Sequence, residues 1–302
     1  MGVAGPGGRA LRFAGRTWAG TVAGMPRLAI ITSGAEERPL LQAPAGSGIE
    51  TPRYAMRVAG FARNPYDRFF VALGHIDASE RAVADGCDAI YIDTFADYGI
   101  AEIRAAVPVP VIGAGEEGIR AASADGTRDF SIVTVWPTSM GYLYKERLDN
   151  SLGGDRCKRV EHVLPELELQ KAGTDAFIKN RMERHEEGVI DMLARRVREV
   201  AAEDGVGTIL LGCTCMAPVG PQIAERCPGI EVVEGTRNGM RVALQTVART
   251  DAQEFNVSAR RGTVPLIVDA WLDHGVVPEW APDQCEMCVS LASDEEIAAS
   301  LA

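Results

Sequence analysis

Thr208-Ile209-Leu210-Leu211-Gly212-Cys213-Thr214 reads as a short buried strand running into a glycine and a polar turn. The chain has nearly the same unit earlier, in Ala89-Ile90-Tyr91-Ile92-Asp93-Thr94-Phe95. Each unit follows an Asp-Gly pair (Asp85-Gly86, Asp204-Gly205). Each precedes a helical segment, a second strand at 109–112 or 230–233, and a Gly-x-Arg step at Gly118-Ile119-Arg120 or Gly239-Met240-Arg241. Asp204 follows Asp85 by 119 residues and Gly239 follows Gly118 by 121, so two residues are inserted between. Upstream, Leu28-Ala29-Ile30-Ile31-Thr32 is matched by Phe130-Ser131-Ile132-Val133-Thr134. Self-similarity on this scale signals a duplicated structural unit. It predicts two pseudo-symmetric lobes, 26–124 and 125–245, and puts Thr94 where the second lobe has Cys213.

Runs rich in Ile and Val at 28–32, 89–93, 109–112, 130–135, 208–212 and 230–233 alternate with helical-period segments such as 76–85, 115–124 and 185–203. That alternation predicts α/β lobes, each a mainly parallel sheet flanked by helices. Open parallel sheets bind ligands outside the carboxyl ends of their strands. Here those ends carry Thr32-Ser33, Asp93-Thr94, Thr134 and Gly212-Cys213-Thr214, which converge on one cleft if the lobes face each other. Residues 1–25 read as a disordered or mis-called N-terminal extension. They are arginine-containing and acid-free but lack the apolar core of a secretory signal, and Met25 opens a natural first strand. Residues 246–302 read as a C-terminal extension partly packed on the lobes, with an acidic, mobile end.

A 302-residue chain with 46% hydrophobic residues can bury a large core without staples. Its 31 basic and 42 acidic residues give a net charge of −11, with no basic tract to neutralise successive phosphates, so nucleic acid and anionic membranes are not expected partners. No apolar run is long enough to span a bilayer. Seven scattered cysteines resemble no secreted disulfide framework and point to a reducing cytoplasm. A small-molecule ligand is expected, and a homo-oligomer is left open.

Gly113-Ala114-Gly115-Glu116-Glu117-Gly118 satisfies the dinucleotide pattern, but two acids stand where a pyrophosphate would bind and no acid ends the next strand. A glycine turn with acids at a helix start accounts for it, so no cofactor is assigned. Cys285-x-x-Cys288 with Cys213-x-Cys215 could supply four thiolates, but Cys213-x-Cys215 is too tight for a usual zinc knuckle, so no metal is assigned either. The four histidines lie in separate segments with no ligand spacing. Cys213 carries the chemistry more economically. A thiol where a buried strand enters a helix meets free N–H groups and a positive helix end that draw its pKa toward neutrality. A structural buried cysteine is the plain alternative. Cys215, two residues on, is expected to point elsewhere.

These stretches, together with Asp93-Thr94-Phe95-Ala96-Asp97-Tyr98-Gly99 and Val109-Pro110-Val111-Ile112-Gly113, resemble the aspartate/glutamate/hydantoin racemase superfamily, most closely its hydantoin racemase branch. The resemblance covers about 26–245. It implies two α/β lobes, no cofactor, and two cysteines facing each other across a substrate α-carbon, of which Cys213 matches the second and Thr94 replaces the first. A threonine hydroxyl is no ordinary base. The resemblance therefore leaves three expectations. One is a racemase or isomerase using Cys213 with Asp93, Asp97 or water on the other face. Another is a single-thiol arylmalonate-type decarboxylase giving one enantiomer. The third is a non-catalytic small-molecule-binding homologue. Thr94, the Phe95 N–H and Thr214 are expected around the developing enolate. Thr32, Ser33, Thr134, Thr138 and Ser139 are expected to hold a carboxylate or cyclic imide, with Trp136 as an apolar wall.

Overall fold

The computed structural model of the chain describes residues 24–33, 39–58, 60–172, 174–249, 257 and 262–274. Most of the two expected extensions, with Cys285 and Cys288, lies outside the described residues.

The first sheet comprises β1 (Leu28–Thr32), β2 (Arg53–Ala55), β3 (Ala89–Ile92) and β4 (Val111–Gly113), ordered β2-β1-β3-β4. The second comprises β5 (Phe130–Thr134), β6 (Cys157–His162), β7 (Thr208–Leu211) and β8 (Glu231–Glu234), ordered β6-β5-β7-β8. All pairs are parallel, and the two orders are the same. β1, β3, β5 and β7 are buried along their whole length, as their unbroken apolar runs require in a parallel sheet covered on both faces.

The helices are α1 (Pro65–Ala84), α2 (Ile100–Ala106), α3 (Ala114–Ala122), α4 (Gly141–Asp149), α5 (Ile178–Glu183), α6 (Glu187–Asp204), α7 (Gly220–Glu225), α8 (Gly235–Val247) and α9 (Thr263–Asp273). Local sequence sets their ends. Asn64 caps α1 by accepting the Asp67 N–H at 3.0 Å, with Pro65 in the first turn, and α6 stops at Gly205 in the left-handed region at φ 66°.

Pairing sets the carboxyl ends level. The Asp93 N–H donates to the Ile31 carbonyl at 3.0 Å, and the Gly212 N–H donates to the Val133 carbonyl at 2.8 Å. The residues that follow, Thr94 and Cys213, therefore leave their sheets at equivalent points. The helix after the last strand of each sheet then serves the other lobe. On α8, Met240, Ala243 and Val247 pack with Leu28, Ile30, Tyr91 and Ile112 of the first sheet. On α3, Ile119 and Ala122 join the core of Phe130, Ile132 and Leu210 in the second.

The crossing of α3 and α8 is glycine-lined. A Cβ on Gly118 would lie 3.0 Å from the Gly235 Cα, and one on Gly235 would lie 2.6 Å from the Ala114 carbonyl oxygen. Two of the dinucleotide-pattern glycines have the same purpose against the first-lobe loop after β3. A Cβ on Gly113 would fall 2.4 Å from the Asp97 carboxyl, and one on Gly115 would fall 1.9 Å from the Phe95 oxygen. The pattern thus records close backbone packing.

Candidate active site

The carboxyl ends of both sheets enclose one cavity of about 160 Å³ between the lobes. Thr32, Ser33, Thr94 and Phe95 line it from the first lobe, and Cys213 and Thr214 from the second. Thr94 is 9% exposed, and its hydroxyl oxygen is buried with no hydrogen-bond partner. A buried hydroxyl with no partner is uncommon, because buried polar groups are nearly always hydrogen-bonded.

Thr134, Thr138 and Ser139 are not among the lining residues. The Thr134 hydroxyl is taken up in a relay. The Trp136 N–H lies 3.3 Å from it, it lies 2.5 Å from the Tyr144 hydroxyl, and Tyr144 donates to the Gly212 carbonyl at 2.8 Å. With the Tyr144 proton on Gly212, Thr134 is the donor to Tyr144. Burial pushes the Tyr144 phenol well above its ordinary value, so it keeps that proton. Thr138 is exposed. The Ser139 N–H and hydroxyl both donate to Glu166, at 2.9 and 2.6 Å. The turn through Pro137 carries both residues outward, so the reading of all three as carboxylate or imide holders is not supported by their placement.

Trp136 does form an apolar wall, with its ring 5.2 Å from Phe61 and 6.1 Å from Phe177. Asp93 also lines the cavity. Its Oδ1 accepts from the Thr236 hydroxyl at 3.1 Å and lies 3.3 Å from the Tyr91 hydroxyl, while its carbonyl accepts from Thr214 at 3.3 Å. These contacts tie the first-lobe loop to α8 and to the second-lobe turn. Asp97 is buried away from the cavity lining at φ 46°. It accepts the Gly115 and Glu116 N–H groups of α3 at 2.9 and 2.8 Å and pairs with Arg147 at 3.4 Å. Burial pushes its carboxyl up to about 7, against the pull of Arg147 and the two N–H groups. It is a structural cap rather than a base for the second face. His75 is fully buried in α1, where its Nδ1 meets the Val71 carbonyl at 2.8 Å and desolvation pushes it down to about 4.

The surroundings of the thiols differ from expectation in two ways. Cys213 has extended backbone and enters only the three-residue 3-10 turn Thr214–Met216; α7 begins later, at Gly220. The Cys215 N–H, which donates to the Cys213 sulfur at 3.1 Å, therefore replaces the expected helix end. The same turn swings Cys215 back, so that it lines the cavity and is disulfide-bonded to Cys213. Cys215 therefore does not point elsewhere.

The family model described as Asp/Glu/Hydantoin racemase matches residues 49–243. The chain belongs to this family. A hydantoin racemase from Pseudomonas sp. (strain NS671) is 31% identical over 178 residues, covering 59% of this chain and 66% of that relative. One from Rhizobium meliloti is 29% identical over 162 residues, covering 53% and 60%. The chain thus matches less than two thirds of the length of either. The crystal structure of allantoin racemase from Pseudomonas fluorescens, 17% identical, shares the fold with a TM-score of 0.58, covering 88% of this chain and all of that one.

Within this family member the cavity also holds two cations that sequence reasoning missed, Arg53 on β2 and Lys179 on α5. Neither lies in an apolar-periodic run, so no pattern marked them. Tyr144 and Phe61 escaped notice for a related reason: an aromatic in a largely polar helix or loop carries no positional signal.

Proposed function

We propose that the protein is a cofactor-independent racemase or isomerase that moves a proton at a carbon alpha to a carbonyl, with Cys213 as acid/base. The substrate is a small carboxylate, amino-acid derivative or cyclic imide such as a hydantoin. One observation carries this reading: Cys213 and Thr94 leave equivalent strand ends of opposite lobes and both line one cavity. Thr94, the Phe95 N–H and Thr214 surround the developing enolate oxygen, where donors aimed at new charge count most. Thr32 and Ser33 hold the carbonyl or carboxylate, and Arg53 and Lys179 supply the positive field that favours an anionic or enolate-forming ligand. The halves 26–124 and 125–245 each furnish one wall. The scattered cysteines support a reducing, cytoplasmic setting.

A second reading, decarboxylation of a disubstituted malonate with Cys213 protonating one face, is favoured by one feature. Both lining thiols stand on the second lobe, and the first offers a hydroxyl in their place. Incubation of the dithiol-reduced protein with hydantoins, amino acids and disubstituted malonates in D2O separates the two. Deuterium uptake with loss of optical activity is expected. Carbon dioxide release with one labelled enantiomer would replace racemisation by decarboxylation, and saturable binding with neither would make the protein a binder. Cys213→Ala should abolish turnover with the fold intact, and retention of the rate would refute the assignment. Thr94→Cys should raise two-face exchange if this position faces the α-carbon.

A further inference from the structure

The catalytic reading leaves Cys215 unexplained. Its equivalent in the first lobe, 119 residues earlier, is Ala96, so the second thiol is no part of the duplicated frame. Yet the turn that follows β7 brings it onto Cys213. The Cα atoms lie 5.2 Å apart, within the range that a disulfide spans without backbone movement, and the two sulfurs are bonded. Both residues line the substrate cavity, so a small oxidant reaches them by the route the substrate uses. The other cysteines among the described residues differ. Cys87 and Cys227 are buried, Cys157 is half-buried, and none is paired. Burial pushes all three thiols up, Cys157 to about 12, which keeps them protonated and inert.

We propose that Cys213 and Cys215 form a reversible dithiol–disulfide site, in which Cys213 is oxidised by a hydroperoxide and Cys215 is the resolving thiol. Resting on the reading of Cys213 as the acid/base, the disulfide switches the enzyme off and shields that sulfur from irreversible oxidation. In the first step the Cys213 thiolate attacks the terminal peroxide oxygen. The O–O bond breaks, the other oxygen leaves as alcohol or water after taking a proton, and Cys213 becomes a sulfenic acid. In the second step the Cys215 thiolate attacks that sulfur, the S–O bond breaks, and the oxygen leaves as water carrying both protons. Two electrons pass from the thiol pair to the peroxide, and an external dithiol returns them by exchange. A reducing compartment is the setting in which such a disulfide is transient rather than structural.

The test uses the full chain, reduced with dithiothreitol, freed of it, and exposed to hydrogen peroxide. The expected result is a mass lower by two hydrogens, both thiols lost to alkylation in the peptide containing Cys213 and Cys215, exchange activity reduced to background, and full return of both on adding dithiothreitol. Cys215→Ser should instead accumulate sulfinic acid on Cys213, which dithiothreitol does not reverse. Oxygen addition to wild-type Cys213 without the 213–215 linkage would overturn the proposal, as would recovery of Cys215→Ser as complete as that of the wild type. The mass readout keeps the two readings apart. Linkage that forms and breaks with the rate unchanged refutes Cys213 as acid/base and with it the switch. Loss of rate in Cys213→Ala with no linkage in the wild type refutes the redox pair alone.

Discussion

Gly115→Ala tests whether the glycine-rich stretch after β4 exists for packing or for a nucleotide. The added Cβ would lie 1.9 Å from the Phe95 carbonyl oxygen and 2.9 Å from Asp97 Oδ2, and both atoms belong to the loop that carries Thr94. An ordinary carbon–oxygen contact is about 3.3 Å, so loop and helix must part by roughly 1.4 Å. Overpacking of this kind costs about 1–3 kcal/mol. The parting also stretches the bonds from the Gly115 and Glu116 N–H groups to Asp97, worth about 1 kcal/mol each when lost. A loss of about 2–4 kcal/mol in urea unfolding is expected, which leaves a folded protein if its stability is of the usual order, about 5–15 kcal/mol. The Thr94 loop moves with the Phe95 carbonyl, and a misplacement of about 1 Å can cost about 100-fold in rate. Gly188 on α6 is the control. It is exposed, with nothing within 4 Å of its Cβ position, and Gly188→Ala should stabilise by about 0.5–1 kcal/mol. Stability of Gly115→Ala within about 0.5 kcal/mol of wild type, the range of an inconsequential surface change, would refute the packing account. A phosphate-binding glycine would behave that way, sparing the fold and altering only ligand affinity.

Asp97, faced by Arg147 from α4 and Glu116 from α3, has a native pKa of about 7 against an ordinary 3.8. The native state therefore binds its proton more tightly, and the stability this contributes is full below about pH 4 and is lost as pH rises to about 7. Asp97→Asn should remove that component, seen as the difference between wild-type and variant urea midpoints from pH 4 to 8; parallel profiles would refute it. Tyr144→Phe strands the Gly212 carbonyl and the Thr134 hydroxyl, at about 1–3 kcal/mol, and should loosen the turn bearing Cys213. Wild-type stability and exchange rate in that variant would show that the relay does not hold the turn. Arg57 joins buried Asp77 on α1 to Asp269 on α9, at 2.5 and 2.6 Å. Arg57→Ala should cost somewhat less than the about 3–5 kcal/mol typical of a broken buried pair, because Arg81 still reaches Asp77 at 3.1 Å. Faster hydrogen exchange confined to α9 and its α1 contact would accompany it, and unchanged exchange there would sink the docking role.

The central strands were legible because a parallel strand buried on both faces must be apolar throughout, as Leu28–Thr32 and Thr208–Leu211 are. The edge strands β2 and β6 were not. Arg53-Tyr54-Ala55 is too short to show a period, and Cys157-Lys158-Arg159-Val160-Glu161-His162 is mostly polar, as an edge permits. Helical period identified α3 but could not say which sheet it covers, since a sequence fixes the face and not the partner. The equivalence of Thr94 and Cys213 needed only the repeat. Three hydroxyls at 134, 138 and 139 misled because residue type at a strand end does not show whether a neighbour such as Tyr144 or Glu166 already holds it. Cys215 was misplaced for a different reason. The expectation that it points away from Cys213 overlooked the turn: residues two apart share a face along a strand, and the 3-10 turn Thr214–Met216 likewise brings Cys215 to the cavity beside Cys213.

The asymmetry of the two lobes narrows the chemistry further than the family does. Two-face proton exchange needs a group on each side of the α-carbon that can both take and return a proton. On the second lobe the thiol proposed as acid/base would meet that demand once its disulfide is open. On the first, Asp97 is spent on the start of α3, and Asp93 already receives Thr236 and lies beside Tyr91. The residue that lines the cavity there is Thr94, and a hydroxyl stabilises a developing oxyanion far better than it removes a proton. Under the proposed racemase reading, a substrate that enters with its α-proton toward Cys213 would be activated more readily than its mirror image. The two directions of racemisation should differ in rate, with kcat and KM changing together so that equilibrium is preserved. Thr94→Cys should bring the directions together by giving the first lobe a thiol of its own.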